Sequence, residues 1–322
     1  MRVKVHDPLV FDVLAEDLGF PEGPAFVDDG SVLAVDVDGG RVMRVQDGDV
    51  SVVGTPGGGP NGLALADPRT AVIANNGGFL WTEVNGRRIP IDHATHTNEP
   101  PGFPGGRIEA IDVPTGKTEL LYDAYEGRPL RGPNDLVFDS VGGLWFTDHG
   151  KGRFQSVDRG ALYYAPPGGG GLVQVAFPLL GPNGVGLSPD GSVVYVAETF
   201  TGRLWAWELA EPGVVNRSGG SIAVRHGGRC VLATPYSFDS LAVEADGRIA
   251  IGAIGDGIVV VTPDGAEVDV HPVPDDITTN IAFGGPDMTT AAITLSRSGR
   301  LVECTWPRPG LRLNVGAGRP GQ

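Results

Sequence analysis

The sequence predicts an all-β protein, a six-bladed β-propeller with four antiparallel strands in each blade. Three observations carry this expectation. One short pattern, a polar acceptor ahead of an alternating apolar run, recurs six times along the 322 residues. The shorter spacings between recurrences match a four-stranded blade of about 40–50 residues. No stretch has a sustained 3.6-residue apolar period flanked by helix caps, so a helical or α/β reading leaves most of the chain unexplained.

In chain order the recurrences begin with Pro21-Glu22-Gly23-Pro24-Ala25-Phe26, Pro60-Asn61-Gly62-Leu63-Ala64-Leu65 and Pro133-Asn134-Asp135-Leu136-Val137-Phe138. They continue with Pro182-Asn183-Gly184-Val185-Gly186-Leu187, Phe238-Asp239-Ser240-Leu241-Ala242-Val243 and Thr279-Asn280-Ile281-Ala282-Phe283. The acceptors Glu22, Asn61, Asn134, Asn183, Asp239 and Asn280 are separated by 39, 73, 49, 56 and 41 residues, so the longer gaps contain insertions. Most copies run on into an Asp/Gly turn and a second β-branched run, as in residues 187–202 and 243–257. That is the signature of a hairpin.

Every other acceptor is preceded by an outer-strand segment, such as residues 49–54 or 266–273, and the segment before Glu22 is residues 11–19. The N-terminal strand is therefore expected to complete the last blade, making one propeller of the whole chain. The longest gap holds residues 77–106, an insertion expected between the second and third strands of blade 2. Its length, its apolar residues Phe79, Leu80, Trp81, Ile89 and Phe103, and its prolines read as a lid, a specificity loop or an interface element. His93 and His96 within it are a weak metal-pair signal.

Composition narrows the functions. The 51 Gly and 27 Pro residues, without a collagen-like period, suit many tight turns. A formal charge of −15 and the absence of a basic stripe argue against nucleic acid as a partner. Cys230 and Cys304 stand alone among apolar neighbours and read as buried free thiols. The N-terminal residues carry no apolar signal core, and no apolar run reaches membrane-spanning length, so the expected setting is cytoplasmic with no membrane partner. The expected partner is a small-molecule substrate, and the chain is expected to be a monomer or homodimer.

In a propeller the first strand of each blade lines the central channel, so the six acceptors form a ring. Taken singly, Asn61 or Asn280 is better explained as a turn former bonding nearby backbone. As a set the ring is harder to explain that way, because Glu22 is a poor turn former and buried carboxylates need a partner or a metal. All its donors are oxygens, with neither thiolate nor imidazole. Ca²⁺ is the first expectation, with Zn²⁺, Mg²⁺ and Mn²⁺ as alternatives.

The repeats "FPEGPAF", "GPNDLVFD", "GPNGVGLSPDG" and "SFDSLAVEADG" resemble the regucalcin/gluconolactonase family of six-bladed propellers, which also includes a diisopropylfluorophosphatase and bacterial lactonases. The resemblance covers about residues 11–305. It implies metal ligands at Glu22, Asn134, Asn183 and Asp239, with Asp239 also the acid/base or nucleophile, and Asn61 and Asn280 as neighbours or water-mediated ligands. The family's sugar-lactonase members have an arginine two residues before the asparagine that adjoins an aspartate. Here that place is Gly132, and Arg131 stands one residue earlier.

The second strands should return to the same face, bringing Asp36, Asn75, Asn76, Asp148, His149 and Glu198 near the mouth. Of these Asp148, His149 and Glu198, together with Arg131, Asn61 and Asn280, are candidates to bind substrate or support the ligands. The leading expectation is a metal-dependent hydrolase that opens a lactone or similar cyclic ester. A phosphoester or organofluorophosphate hydrolase is close to it in chemistry. The alternatives of a different class are a cyclase, lyase or isomerase using the same metal, and a non-catalytic calcium- or ligand-binding propeller.

Overall fold

Each of the six recurrences becomes the innermost strand of its own antiparallel sheet in the computed structural model, which describes residues 1–216 and 226–316. Blade 1 runs Pro21–Phe26, Val32–Asp36, Arg41–Gln46, Asp49–Gly54. Blade 2 runs Pro60–Asp67, Thr70–Asn75, Arg107–Asp112, Thr118–Tyr122. Blade 3 runs Pro133–Phe138, Leu144–Asp148, Gly160–Ala165, Val173–Leu179. Blade 4 runs Pro182–Leu187, Val193–Glu198, Arg203–Glu211, Arg229–Ala233. Blade 5 runs Ser237–Val243, Ile249–Ile254, Gly257–Val261, Glu267–His271. Blade 6 runs Thr278–Gly284, Thr290–Leu295, Arg300–Thr305 and then returns to the N-terminus for Asp12–Ala15.

That last pairing, Asp12 opposite Glu303 and Val13 opposite Val302, closes the ring of blades with the strand the sequence nominated. Among the described residues two strands exceed the expected four per blade, and one is the short Val214–Val215, which pairs with the third strand of blade 4 at Leu209 and Glu211. Arg2–Val5 adds to blade 5 in parallel, Arg2 opposite Glu267 and Val5 opposite Val270, so it covers an otherwise open sheet edge.

Burial follows position in the blade. Second strands such as Leu144–Asp148 are buried throughout because a neighbouring blade covers each face, whereas the outer strand Asp49–Gly54 is largely exposed. The core is a set of clusters between adjacent blades. One joins blades 4 and 5 through Tyr195, Leu204, Phe238, Leu241 and Ile251, and another joins blades 3 and 4 through Trp145, Leu162, Val185 and Trp205. Turn chemistry agrees with the strand boundaries: Asp47-Gly48 and Asn85-Gly86 both take positive φ at both residues, as tight two-residue hairpins require.

Both cysteines are free. Cys304 is buried as expected, but Cys230 is exposed. Cys230 is exposed because it lies on the outermost strand of blade 4, which has no blade outside it. Among the described residues no helix is long and apolar enough to cross a membrane.

Candidate active site

The six acceptors occupy equivalent places at the start of the six inner strands, and all are at least nine-tenths buried. The chain packs so tightly here that the next residue is glycine in three repeats. A Cβ on Gly62 would lie 2.6 Å from the Asn134 carbonyl oxygen, and one on Gly184 2.5 Å from Leu241 N. Neighbouring inner strands therefore approach backbone to backbone, which brings the side chains one residue earlier together around the axis.

Hydrogen bonds fix several of these side chains. Glu22 Oε2 accepts from Gly23 N at 2.7 Å and from Asn280 Nδ2 at 2.8 Å. Asn183 Nδ2 donates to Thr199 Oγ1 at 3.2 Å, Thr199 Oγ1 donates to the Phe238 carbonyl at 2.6 Å, and Asn183 Oδ1 accepts from Ser240 Oγ at 3.3 Å. Asn134 Oδ1 is buried and has no hydrogen-bond partner. Burial, and then the charge of Glu22, hold the Asp239 carboxyl well above the usual carboxylate range, while burial raises Glu22 itself to about 7.

These are the features of a site that fits a hard divalent cation. An orphaned amide oxygen, a second amide oxygen on Asn183 and two carboxylates that resist ionising together all gain from a nearby positive charge. Among the described residues no three His, Cys, Asp or Glu side chains converge as a metal site. The candidate set Glu22, Asn134, Asn183 and Asp239 has only two acidic members, and amide oxygens complete it, a donor mixture suited to Ca²⁺.

Sequence reasoning passed over Asp135. Its Oδ1 accepts from Leu136 N at 2.9 Å and its Oδ2 from Val185 N of blade 4 at 3.1 Å. Burial and then Glu22 push its carboxyl up to about 8. The clue was available: Asp135 stands where Glu22, Asn61 and Asn183 are each followed by glycine. Beyond it lies a cavity of about 170 Å³ whose lining includes Leu136, Val185, Leu241, Ile281, Leu311 and Leu313.

The second strands do return to the mouth, with Asp36, Asn75, Asp148 and Glu198 opposite Pro21, Pro60, Pro133 and Pro182. These four side chains secure the loops that lead into the inner strands. Asp36 accepts from Phe20 N, Asn75 from Gly59 N, Asp148 from Arg131 N and Gly132 N, and Glu198 from Leu180 N. The residue after each carries the side chain on the alternate face. His149 is buried beside Gly181 and edge-on to Phe200, ring centroids 4.9 Å apart. Its Nδ1 lies 3.2 Å from the Gly150 carbonyl. Only a protonated Nδ1 can bond there, which leaves Nε2 as an acceptor. Burial lowers its pKa to about 4, so the ring is neutral.

Residues 77–106 span from blade 1 to blade 3. Trp81 packs edge-on against Phe20, and Arg88 pairs with Asp38 at 3.2 Å. At the other end Asn98 N donates to the Gly152 carbonyl and Gly152 N to Asn98 Oδ1, while Arg131 and Arg153 both pair with Glu99 and Asp158. Arg131 is thus occupied with Glu99 and Asp158, with its guanidinium 4.8 Å from the Phe103 ring centre. His93 and His96 sit exposed around a turn closed by the Asp92–Thr97 bridge.

An all-β propeller whose channel gathers carboxylate and amide oxygens is a class of protein with a defined sequence signature. The chain belongs to the SMP-30/gluconolactonase/LRE-like family, whose family model matches residues 20–297. It is 26% identical over 219 residues to a gluconolactonase of Zymomonas mobilis, covering 63% of this chain and 56% of that one. It is 29% identical over 205 residues to the lactonohydrolase oryL of Aspergillus oryzae, covering 56% and 46%. The chain thus spans about half the length of these curated relatives. Among solved structures it is similar to a gluconolactonase of Xanthomonas campestris, with TM-score 0.70, 22% identity and coverage of 92% and 89%. It is also similar to the calcium-binding protein regucalcin of Agrobacterium tumefaciens, with TM-score 0.71, 20% identity and coverage of 97% and 100%. At these identities the structural likeness concerns the fold.

Proposed function

We propose that this chain is a divalent-metal-dependent lactonase, with Glu22, Asn134, Asn183 and Asp239 holding the ion, Ca²⁺ first among the candidates. The observation that carries the reading is the ring itself, where the unpartnered Asn134 Oδ1 sits in one buried channel with two carboxylates that disfavour each other's charge. Family membership and the lactone-opening relatives support the reaction class. The regucalcin likeness supports the choice of calcium.

A hard cation in this set supplies polarisation of the ester carbonyl and stabilisation of the negative charge that gathers on its oxygen. The protein supplies position and proton transfer. Asn280 holds Glu22 and Thr199 holds Asn183, so the donor set is preorganised before substrate arrives. Asp239 accepts a proton from the attacking water as its oxygen bonds to the carbonyl carbon. The ring C–O bond breaks, and Asp239 returns the proton to the leaving alkoxide, giving the open hydroxy acid. Asp148 and Glu198 act at one remove, by securing the loops before Asn134 and Asn183.

Asp239→Asn keeps an oxygen donor but cannot take the proton. Its kcat/KM on a lactone substrate should fall by about 10²–10⁴-fold with melting temperature preserved in the presence of metal. Full turnover by that variant would remove Asp239 from the acid/base role.

A further inference from the structure

The cavity of about 170 Å³ beside Asp135 is left over by this account. None of the residues assigned to the ion, Glu22, Asn134, Asn183 and Asp239, lines it. Its wall comes from the inner strands beyond their acceptors, from the turns that follow those strands at Ser140 and Ser188–Gly191, and from the C-terminal residues Leu311–Asn314. The mouth of the ring is framed instead by the loops that precede the inner strands. The cavity is therefore a separate compartment, and the residues on its rim, among them Ser140, Asp190 and Arg312, are exposed.

Inside it the polar side chains are already engaged. Asp135 accepts from Leu136 N and Val185 N, while Asn280 Oδ1 accepts from Ile281 N at 2.8 Å and Asn280 Nδ2 donates to Glu22. The rest of the inner wall is apolar, with Leu63, Leu136, Val185, Leu241, Ile281 and Phe283 all buried. Such a space gives water too few partners, and an apolar cavity of about 150 Å³ takes one benzene ring.

The rim is different. Asp190 Oδ1 accepts from Ser188 Oγ at 2.6 Å, Ser192 N at 3.0 Å and Ser192 Oγ at 2.8 Å, so this carboxylate is bound into its own turn. Leu311 N donates to the Val243 carbonyl at 2.8 Å and Asn314 Nδ2 to the Phe138 carbonyl at 3.4 Å, which fixes the C-terminal segment against blades 5 and 3. Arg312 stands between these two anchors, and among the described residues its guanidinium has no ion pair. Apolar pockets take their specificity from a few placed polar groups, and a guanidinium is suited to a carboxylate, which it can bind through two parallel hydrogen bonds.

We infer that this cavity is a second ligand site, which takes an apolar monocarboxylate, its aryl or short alkyl chain in the chamber and its carboxylate at Arg312. The site does not depend on the lactonase reading, since no residue assigned to the ion lines it.

Binding of phenylpropanoate, phenylpropanol and phenylpropylamine to the full chain is measured by calorimetry, both with Ca²⁺ and after metal stripping. The carboxylate should bind most tightly and the amine least, and carboxylate binding should persist without metal. Arg312→Gln should lower the affinity for the carboxylate by about three- to tenfold and leave that for the alcohol unchanged. Ala282→Leu, a larger side chain at a buried wall position, should weaken both. No binding, an amine that binds as tightly as the carboxylate, or an unchanged carboxylate affinity in Arg312→Gln would overturn the inference. So would undiminished binding in Ala282→Leu, or carboxylate binding lost with the metal, which would place the ligand on the ring. If Ala282→Leu fails to fold, the Arg312→Gln comparison decides alone.

Discussion

At Asn134 a carbonyl oxygen is held away from water and from every protein donor, while beside it burial raises the Glu22 carboxyl to about 7 and the Asp135 carboxyl to about 8. For a carboxyl whose folded value lies above its unfolded value, stability is complete below the unfolded value and is lost as pH rises through the folded one. Metal-stripped protein should therefore lose stability between about pH 4 and pH 8, seen as a falling melting temperature, and adding Ca²⁺ at pH 8 should restore it. An unchanged melting temperature across that range would deny the burden of charge in the ring. The close approach of the inner strands is testable at Gly62: Gly62→Ala places a methyl against the Asn134 carbonyl and should cost about 1–3 kcal/mol in denaturant unfolding. The acceptors were legible in the sequence because a propeller turns a recurring position into a ring. The duties of Asp36, Asp148 and Glu198 were not, because they depend on register. Each lies opposite the proline that opens an inner strand, where its oxygens reach the loop N–H groups just before that proline.

Among the elements, the N-terminal segment does two separate jobs. Asp12–Ala15 completes blade 6, a closure legible from residues 11–19 alone, and Arg2–Val5 adds to the edge of blade 5, which no repeat pattern announced. Beyond that added strand, the His6 ring stacks on His271 at 4.4 Å between centroids, with an 11° interplanar angle, and both His271 nitrogens are buried without partners. Asp269, Arg308, Lys4 and Trp306 surround the pair. Burial, then His6 and Arg308, lower His271 to about 4 from 6.5. A histidine with a depressed folded pKa contributes stability above its unfolded value, and that stability is lost as pH falls through the folded one. Between pH 6.5 and 4 the wild type should therefore lose a few degrees of melting temperature more than His271→Leu, and equal losses would argue against a neutral, docked His271. The insertion 77–106 was legible as an interruption of blade 2. Its anchorage was not, because Arg153 and Asp158 come from a different blade. Replacing residues 82–89, the hairpin of the insertion, with a short glycine-serine link should alter selectivity among lactones while Ca²⁺ affinity stays within about twofold, since the ring lies outside that segment.

For the molecule as a whole, closure is what turns six weak local signals into one site. Six inner strands meet at a single axis, so two acidic and several amide side chains far apart in sequence share one buried volume. A formal charge of −15 favours cations around the molecule, and the chain matches its family model over residues 20–297 and is similar over part of its length to a gluconolactonase and a lactonohydrolase. The deciding measurement is hydrolysis of a panel of γ- and δ-lactones, hydroxylated and plain, by metal-stripped protein with Ca²⁺, Zn²⁺, Mg²⁺ or Mn²⁺ restored one at a time. Lactone opening that is absent in the stripped protein, returns with an added divalent ion, most strongly Ca²⁺, and falls by about 10²–10⁴-fold in Asp239→Asn is the expected result. Full activity in stripped protein, or no lactone opened by protein that binds one of these ions tightly at the ring, would contradict it.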